Sequence, residues 1–169
     1  PIGLPTTPEI TYGFGFSFGY KQFDLSFFFQ GSARSSFWIS SYEISPFVLN
    51  GGGQHGLLQA IADDHWSESN RNLYAMWPRL SDYFVNNNNQ TSTWWMRSGD
   101  FLRLKSLEMG YTFPKSLLDR VRMTNARIYA NASNLFALSK FKTWDVEMGG
   151  NGLGYPVQRV INLGITLGL

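Results

Sequence analysis

Cysteine is missing from all 169 residues, which removes disulfide frameworks, Cys-based zinc sites and thiol nucleophiles from consideration. Charge is also thin. Asp, Glu, Lys and Arg make up 15 % of the chain, against roughly 25 % in an average soluble domain. The 14 basic and 12 acidic residues are scattered, so the small positive balance leaves no nucleic-acid footprint. No apolar run reaches the ~18 residues that a membrane-crossing helix needs, and no helical span is expected. The opening Pro1-Ile2-Gly3-Leu4-Pro5 shows no basic segment leading into an apolar stretch, so any export signal is expected upstream of it.

What is abundant is rings and glycine: 14 Phe, 8 Tyr, 6 Trp and 17 Gly. Their order matters more than their number. Tyr12, Phe14, Phe16, Phe18 and Tyr20 alternate with Thr11, Gly13, Gly15, Ser17 and Gly19, a period of two that only a strand can use. At about 3.4 Å per residue, Tyr12 to Tyr20 spans roughly 27 Å, close to the ~25 Å apolar band of an outer-membrane barrel once strand tilt is allowed for. A soluble sandwich strand also has an apolar inner face, but five rings in succession fit a lipid-facing surface better than a mixed aliphatic core.

The same alternation recurs. Asp24 to Gly31, about Trp95 to Phe113, about Met123 to Leu138, and the terminal run from Val157 to Leu169 all read as strands. In the fourth, Ala126, Ile128, Ala130, Ala132 and Phe136 face one way and Arg127, Tyr129, Asn131 and Ser133 the other, which is apolar-out and polar-in. The third changes phase: Leu107, Met109, Tyr111 and Phe113 share a face that, followed backwards, acquires Lys105 and Arg103. Either a bulge near Lys105-Ser106 resets the phase, or the strand has left the membrane there.

Connection lengths alternate too. Lys21-Gln22 is a tight turn and 114–122 is short, whereas 32–93 is very long and 139–156 intermediate. Short turns on one side and long loops on the other suit a barrel whose long loops are extracellular. The long excursion holds Leu57-Leu58-Gln59-Ala60-Ile61-Ala62, expected as a short helix, together with Trp66, Trp77 and Tyr83. Gly51-Gly52-Gly53 and Asn86 to Asn89 are its expected flexible points.

Chemistry was sought and no catalytic constellation emerged. His55 and His65 are the only histidines, and Asp63-Asp64-His65 fits no zinc signature. Asp145 and Glu147 alternate in a loop as calcium ligands can, and as solvated carboxylates more often do. No serine sits in a nucleophile elbow, and Gly149-Gly150-Asn151-Gly152 lacks the Lys-Ser/Thr of a phosphate loop. No cofactor, metal or enzymatic activity is expected.

Several ordered blocks are similar to the C-terminal region of SusC/RagA-type TonB-dependent transporters, nutrient importers of Bacteroidetes outer membranes. They are Pro8-Glu9-Ile10-Thr11-Tyr12-Gly13, the run Phe23 to Gly31, Trp77-Pro78-Arg79-Leu80, the run Trp95 to Lys105, Gly110-Tyr111-Thr112-Phe113-Pro114, Arg127-Ile128-Tyr129-Ala130 and Asn134-Leu135-Phe136. The resemblance implies an all-β fold, with residues 1–169 supplying about five C-terminal antiparallel strands of a plugged transmembrane β-barrel of about 22, and 32–93 a long extracellular loop. It implies import of oligosaccharides or peptides, a SusD-like lipoprotein over the outer mouth, a TonB complex reached through an N-terminal region that these residues do not contain, and outer-membrane lipid around the wall. Asn162, Gly164, Leu167 and Leu169 look like the C-terminal signal read during barrel assembly, with Leu at the end where Phe is commonest; an ordinary amphipathic closing strand would look the same. Arg127 on the polar face is a candidate for substrate contact, or for pairing with the plug or a lumen carboxylate. Trp66, Trp77 and Tyr83 are candidates for sugar stacking, for loop packing or for docking the lipoprotein. The competing readings are a small closed-barrel enzyme or adhesin, which needs about eight strands, and a soluble carbohydrate-binding sandwich.

Overall fold

A computed structural model describes residues 2–48 and 54–168. Its strands are β1 (Ile10–Tyr20), β2 (Phe23–Ala33), β3 (Ser36–Trp38), β4 (Phe47–Val48), β5 (Gln54–His55), β6 (Met96–Ser98), β7 (Phe101–Thr112), β8 (Asn125–Ser133), β9 (Ala137–Ser139) and β10 (Val160–Gly168). Short helices α1 (Ser41–Ile44), α2 (Gln59–Asp63) and α3 (Lys115–Leu118) lie between them. The chain divides into two compact units. One comprises Pro8–Arg34, Asp100–Lys140 and Val157–Leu169; the other comprises Pro1–Thr7, Ser35–Gly99 and Phe141–Pro156.

The first unit is an antiparallel sheet in the order β1-β2-β7-β8-β10, with β9 also paired to β7. Register carries the alternation of each strand across the sheet. Phe16 pairs with Phe27, Phe27 with Leu107, Leu107 with Ala132 and Ala132 with Ile161. The neighbouring row runs Phe18, Leu25, Met109, Ala130, Leu163, and the next Tyr20, Phe23, Tyr111, Ile128, Ile165. One face is thus apolar from edge to edge, with rings in contact across strands, stacked at 5.4 Å for Phe14–Phe29 and tilted at 4.8 Å for Phe23–Tyr111. Most of this face is exposed, including Phe16, Phe18, Leu163 and Ile165.

The phase change in the third expected strand is a bulge. Phe28 pairs with Ser106 and Phe29 with Leu104, so Lys105 is the extra residue on β7. A single inserted residue moves every following side chain to the other face. Leu104 and Leu102 therefore join Leu107 and Met109 on the apolar side, and Arg103 turns away from it. Opposite the bulge the chain is also interrupted, at Asn134, whose φ of 54° lies in the left-handed region that Asn tolerates. This splits the expected Met123–Leu138 strand into β8 and β9. The upstream end of the expected Trp95–Phe113 strand is separate as well: β6 pairs with β3 in the other unit. The tight turn at Lys21-Gln22 joins β1 to β2 with Lys21 at a φ of 54°.

The second unit has a core of its own. Ile39, Ile44, Ile61, Met76, Trp77, Trp95 and Phe141 are buried together, with Trp77 and Trp95 rings 5.1 Å apart and Phe141 edge-on to Trp144 at 4.8 Å. Two of the indoles in this unit pair their N–H groups with nearby carbonyls: Trp95 Nε1 donates to Asn88 O at 3.1 Å and Trp144 Nε1 to Gly149 O at 2.9 Å. The 139–156 connection contributes Phe141, Trp144 and Val146 to this unit, so it packs with the long excursion instead of standing apart. Asn86–Asn89 form a 3-10 turn in which Asn89 Nδ2 donates to Val85 O and Asn89 O accepts from Ser41 Oγ. Gly51-Gly52-Gly53 lie outside the described residues.

Candidate functional site

The face of the sheet opposite the rings is polar, and its residues meet in rows. Ser17, Ser26, Glu108, Asn131 and Asn162 occupy successive strands at one level, and Asn162 Nδ2 donates to Asn131 Oδ1 at 2.9 Å. The adjacent level holds Gly19, Asp24, Gly110, Tyr129 and Gly164. Arg127 lies one level further along β8 and reaches back over Gly110. Its Nη2 donates to Asp24 Oδ2 at 2.6 Å and to Glu108 Oε1 at 2.8 Å, while Cζ stands 5.1 Å from the Tyr129 ring centroid.

The small residues make this possible. A Cβ at position 110 would sit 2.6 Å from Asp24 Oδ1 and 2.7 Å from Arg127 Nε, so any larger side chain would close the gap through which the guanidinium passes. Position 164 is likewise covered by the Tyr129 ring. The outcome is a half-exposed network spanning β2, β7 and β8, with two carboxylates on one cation. Such an arrangement orients side chains and presents a local excess of negative charge; it contains no nucleophile–base pair.

In the second unit Trp77 is 3 % exposed and part of the core, Trp66 is half-buried, and Tyr83 is exposed. Trp66 N donates to Trp77 O at 3.0 Å and Trp77 N to Asp64 O at 3.2 Å. The backbone thus closes around residues 64–77. Asp64 also accepts from Met76 N at 2.9 Å and Asn72 Nδ2 at 3.3 Å. His65 Nδ1 lies 3.1 Å from Ile61 O and 3.0 Å from Ala62 O, so it acts as a donor at the end of α2. Asp145 accepts from Glu147 N at 3.0 Å within its own turn. Burial pushes the Arg97 guanidinium down from its ordinary range, against the opposing pull of Asp64.

No family model matches the chain. Among curated proteins, TonB-dependent receptor P3 of Formosa agariphila is 28 % identical over 146 residues, covering 86 % of this chain and 13 % of the receptor. TonB-dependent receptor SusC of Bacteroides thetaiotaomicron is 28 % identical over 155 residues, 88 % of this chain and 14 % of the receptor. Among solved structures, the RagAB peptide importer in its open-open state superposes with a TM-score of 0.66 at 29 % identity, over 97 % of this chain and 17 % of that one. Its closed-closed state gives 0.68 at 28 % identity, over 97 % and 18 %. The homologues are TonB-dependent receptors.

Against such a receptor this chain is a short stretch, less than a fifth of the length of the relatives just described. The open sheet, with β1 and β10 at its edges, resembles part of the RagAB barrel. In receptor terms Asn162 and Gly164 sit on the polar face and Leu167 on the apolar one, opposite Ala126; Leu169 lies outside the described residues. The sequence pointed to Arg127 but not to its partners, since Asp24 is 103 positions away. It did not point to Leu73 and Tyr74, which look like interior residues of an apolar stretch and stand at 68 % and 92 % exposure.

Proposed function

We propose that this chain forms part of the barrel wall and outer loops of a TonB-dependent importer in a bacterial outer membrane. The importer takes up peptides or oligosaccharides, works with a SusD-like surface lipoprotein, and draws on a TonB complex through parts of the receptor not present here. The observation that carries this reading is the apolar face running unbroken across β1, β2, β7, β8 and β10, opposite rows of polar residues. Lipid fits the first face and an aqueous or plugged lumen the second. The likeness to RagAB over 97 % of the chain supports the direction of transport and the choice of partner.

Residues 35–99 then belong to the outer surface. They follow β2 and precede β7, at the strand ends opposite the Lys21-Gln22 turn. The test uses the full-length receptor carrying Ser69→Cys. Intact cells treated with a membrane-impermeant maleimide should be labelled at that position, and uptake of fluorescent peptide or oligosaccharide should stop when the proton-motive force is collapsed. Labelling only after the outer membrane is broken, or uptake indifferent to energy, would remove the proposal.

A further inference from the structure

On the apolar face β8 presents smaller side chains than the strands beside it. Ala130 stands between Met109 and Leu163 in one row, and Ala132 between Leu107 and Ile161 in the next. Leu163 rises alongside at 84 % exposure. The result is an open groove of about 970 Å³, walled by Phe18, Leu25, Met109, Leu163 and Ile165 and floored in part by Ala130. It reaches the row Tyr111, Ile128, Ile165, which is next to the end of the sheet bearing the Lys21-Gln22 turn. The β7–β8 connection lies at that same end, where Thr112 N donates to Gln22 O and Thr124 N to Gly168 O, each at 2.9 Å. It contains α3 and a 3-10 turn over Asp119–Val121, and α3 packs against β8. Leu118 is buried, and so is Ala126 at the end of the apolar face of β8, although Ile128 two residues further on is exposed. The connection thus closes one end of the groove. Its outer surface shows Leu117 and Val121 together with Lys115, Arg120 and Arg122, all exposed, with three cations against the single carboxylate of Asp119.

We propose that the groove and the 115–122 segment together form a binding site for an anionic phospholipid of the periplasmic leaflet, with an acyl chain lying along β8 and the phosphate against Lys115, Arg120 and Arg122. The proposal rests on the reading of the apolar face as lipid-facing and adds a ligand to it. Wall atoms around a depression forfeit contacts unless something follows its contour, and a flexible acyl chain does so without a matching shape. A short turn that carries exposed apolar side chains among Lys and Arg is suited to the boundary between headgroups and acyl chains. Cations placed there attract anionic headgroups. The two features adjoin: the apolar groove ends where the basic segment begins. Lipopolysaccharide is disfavoured because it occupies the outer leaflet, at the strand ends opposite the Lys21-Gln22 turn. A second copy of the receptor is disfavoured because a two-fold contact brings the same patch of each copy together, here setting three cations against three.

The experiment reconstitutes the full-length receptor in phosphatidylcholine liposomes holding a small fraction of phosphatidylglycerol with a diazirine on one acyl chain. Phosphatidylcholine bearing the same diazirine is the reference probe. After irradiation and digestion, adducts of the phosphatidylglycerol probe should concentrate on 126–132 and 160–166 relative to the equally apolar face of β1. Lys115→Gln/Arg120→Gln/Arg122→Gln should lower those adducts by about fivefold or more and leave adducts of the reference probe unchanged. Ala130→Trp fills the groove while keeping the face apolar, and should lower them as well; heat-modifiability confirms that each variant is folded. Equal yields from the two probes at these segments, an even spread of adducts over the apolar face, or undiminished capture by the charge variant overturns the proposal. Protection of these segments from both probes while β1 is labelled assigns the groove to a protein neighbour and overturns it too. If neither probe labels the apolar face anywhere, the lipid-facing reading of the wall fails, and the site with it.

Discussion

Arg127 and Asp24 are joined across an intervening strand: the guanidinium of β8 passes over Gly110 of β7 to reach the carboxylate of β2, 2.6 Å away. Glu108 shares the same nitrogen at 2.8 Å. Backbone pairing links each strand only to its neighbours, so this network is a second, side-chain lacing of the wall. It also sets two carboxylates near each other with a single cation between them.

That arithmetic fixes an order of damage. Arg127→Met should lower the midpoint of urea or thermal unfolding of the full-length receptor in detergent, because Asp24 and Glu108 then repel without a counter-charge. Asp24→Asn/Glu108→Gln added to Arg127→Met should recover part of the loss, since the repulsion goes with the charges. A triple variant as unstable as Arg127→Met alone would show that the ion pairs, and not the residual repulsion, set the stability.

The apolar face makes a directional prediction. Phe16 packs against Phe27 at 5.7 Å between ring centroids and belongs to the middle of the row pattern, whereas Ser17 pairs with Ser26 on the polar face. Phe16→Arg should impair insertion, at a cost of roughly 2 to 4 kcal/mol if the site lies near the bilayer midplane. Ser17→Arg should insert nearly as the unaltered receptor does. Heat-modifiability on gels, scored in outer-membrane fractions, distinguishes the two.

How much of this was legible beforehand depended on the range of the interaction. Tyr12 to Tyr20 and Val160 to Gly168 announce themselves because alternation is local and repeated, and the Lys21-Gln22 turn follows from the strands on either side. The sequence also showed that something happens near Lys105, because the apolar phase breaks there; pairing resolved the choice in favour of a bulge by aligning Phe29 with Leu104. Pairing of Arg127 with a carboxylate and packing of Trp77 within the loop were among the readings the sequence offered, but the particular partners were not legible. The first depends on register between β2, β7 and β8, and the second on which of several tryptophans finds Ile61 and Trp95. Exposure of Leu73 and Tyr74 was hidden for the same reason: composition marks apolar residues, but it does not say which of them the tertiary structure leaves outside.

The distinction between Trp77 and Tyr83 is measurable. Trp77→Ala removes the partner of Trp95 from a packed core and should cost about 3 to 5 kcal/mol within that unit. It should expose residues 64–90 to limited proteolysis on whole cells while the strands remain assembled, because none of them lies in the sheet. Tyr83→Ala, at an exposed position, should stay within about 0.5 kcal/mol of the original. Equal protease sensitivity of both variants would contradict the core described for that unit.

The bulge at Lys105 makes its own prediction. With Lys105 as the extra residue, Leu104 and Leu102 lie on the apolar face and Arg103, 3 % exposed, pairs with Gln30 and Ala137 away from it. Deleting Lys105 leaves Leu107 opposite Phe27, Ser106 opposite Phe28 and Leu104 opposite Phe29, so the ladder with β2 becomes regular and residues 101–104 keep their faces. What is lost is the hydrogen bond from Asn134 N to Lys105 O at 3.0 Å. The deletion should therefore still assemble, giving heat-modifiable receptor in the outer membrane, with a lowered thermal midpoint. Lys105→Ala keeps that backbone bond and should match the unaltered receptor. A deletion that fails to assemble while Lys105→Ala assembles normally would contradict this, because β7 would then need the extra residue itself and not only the facing of the residues on either side of it.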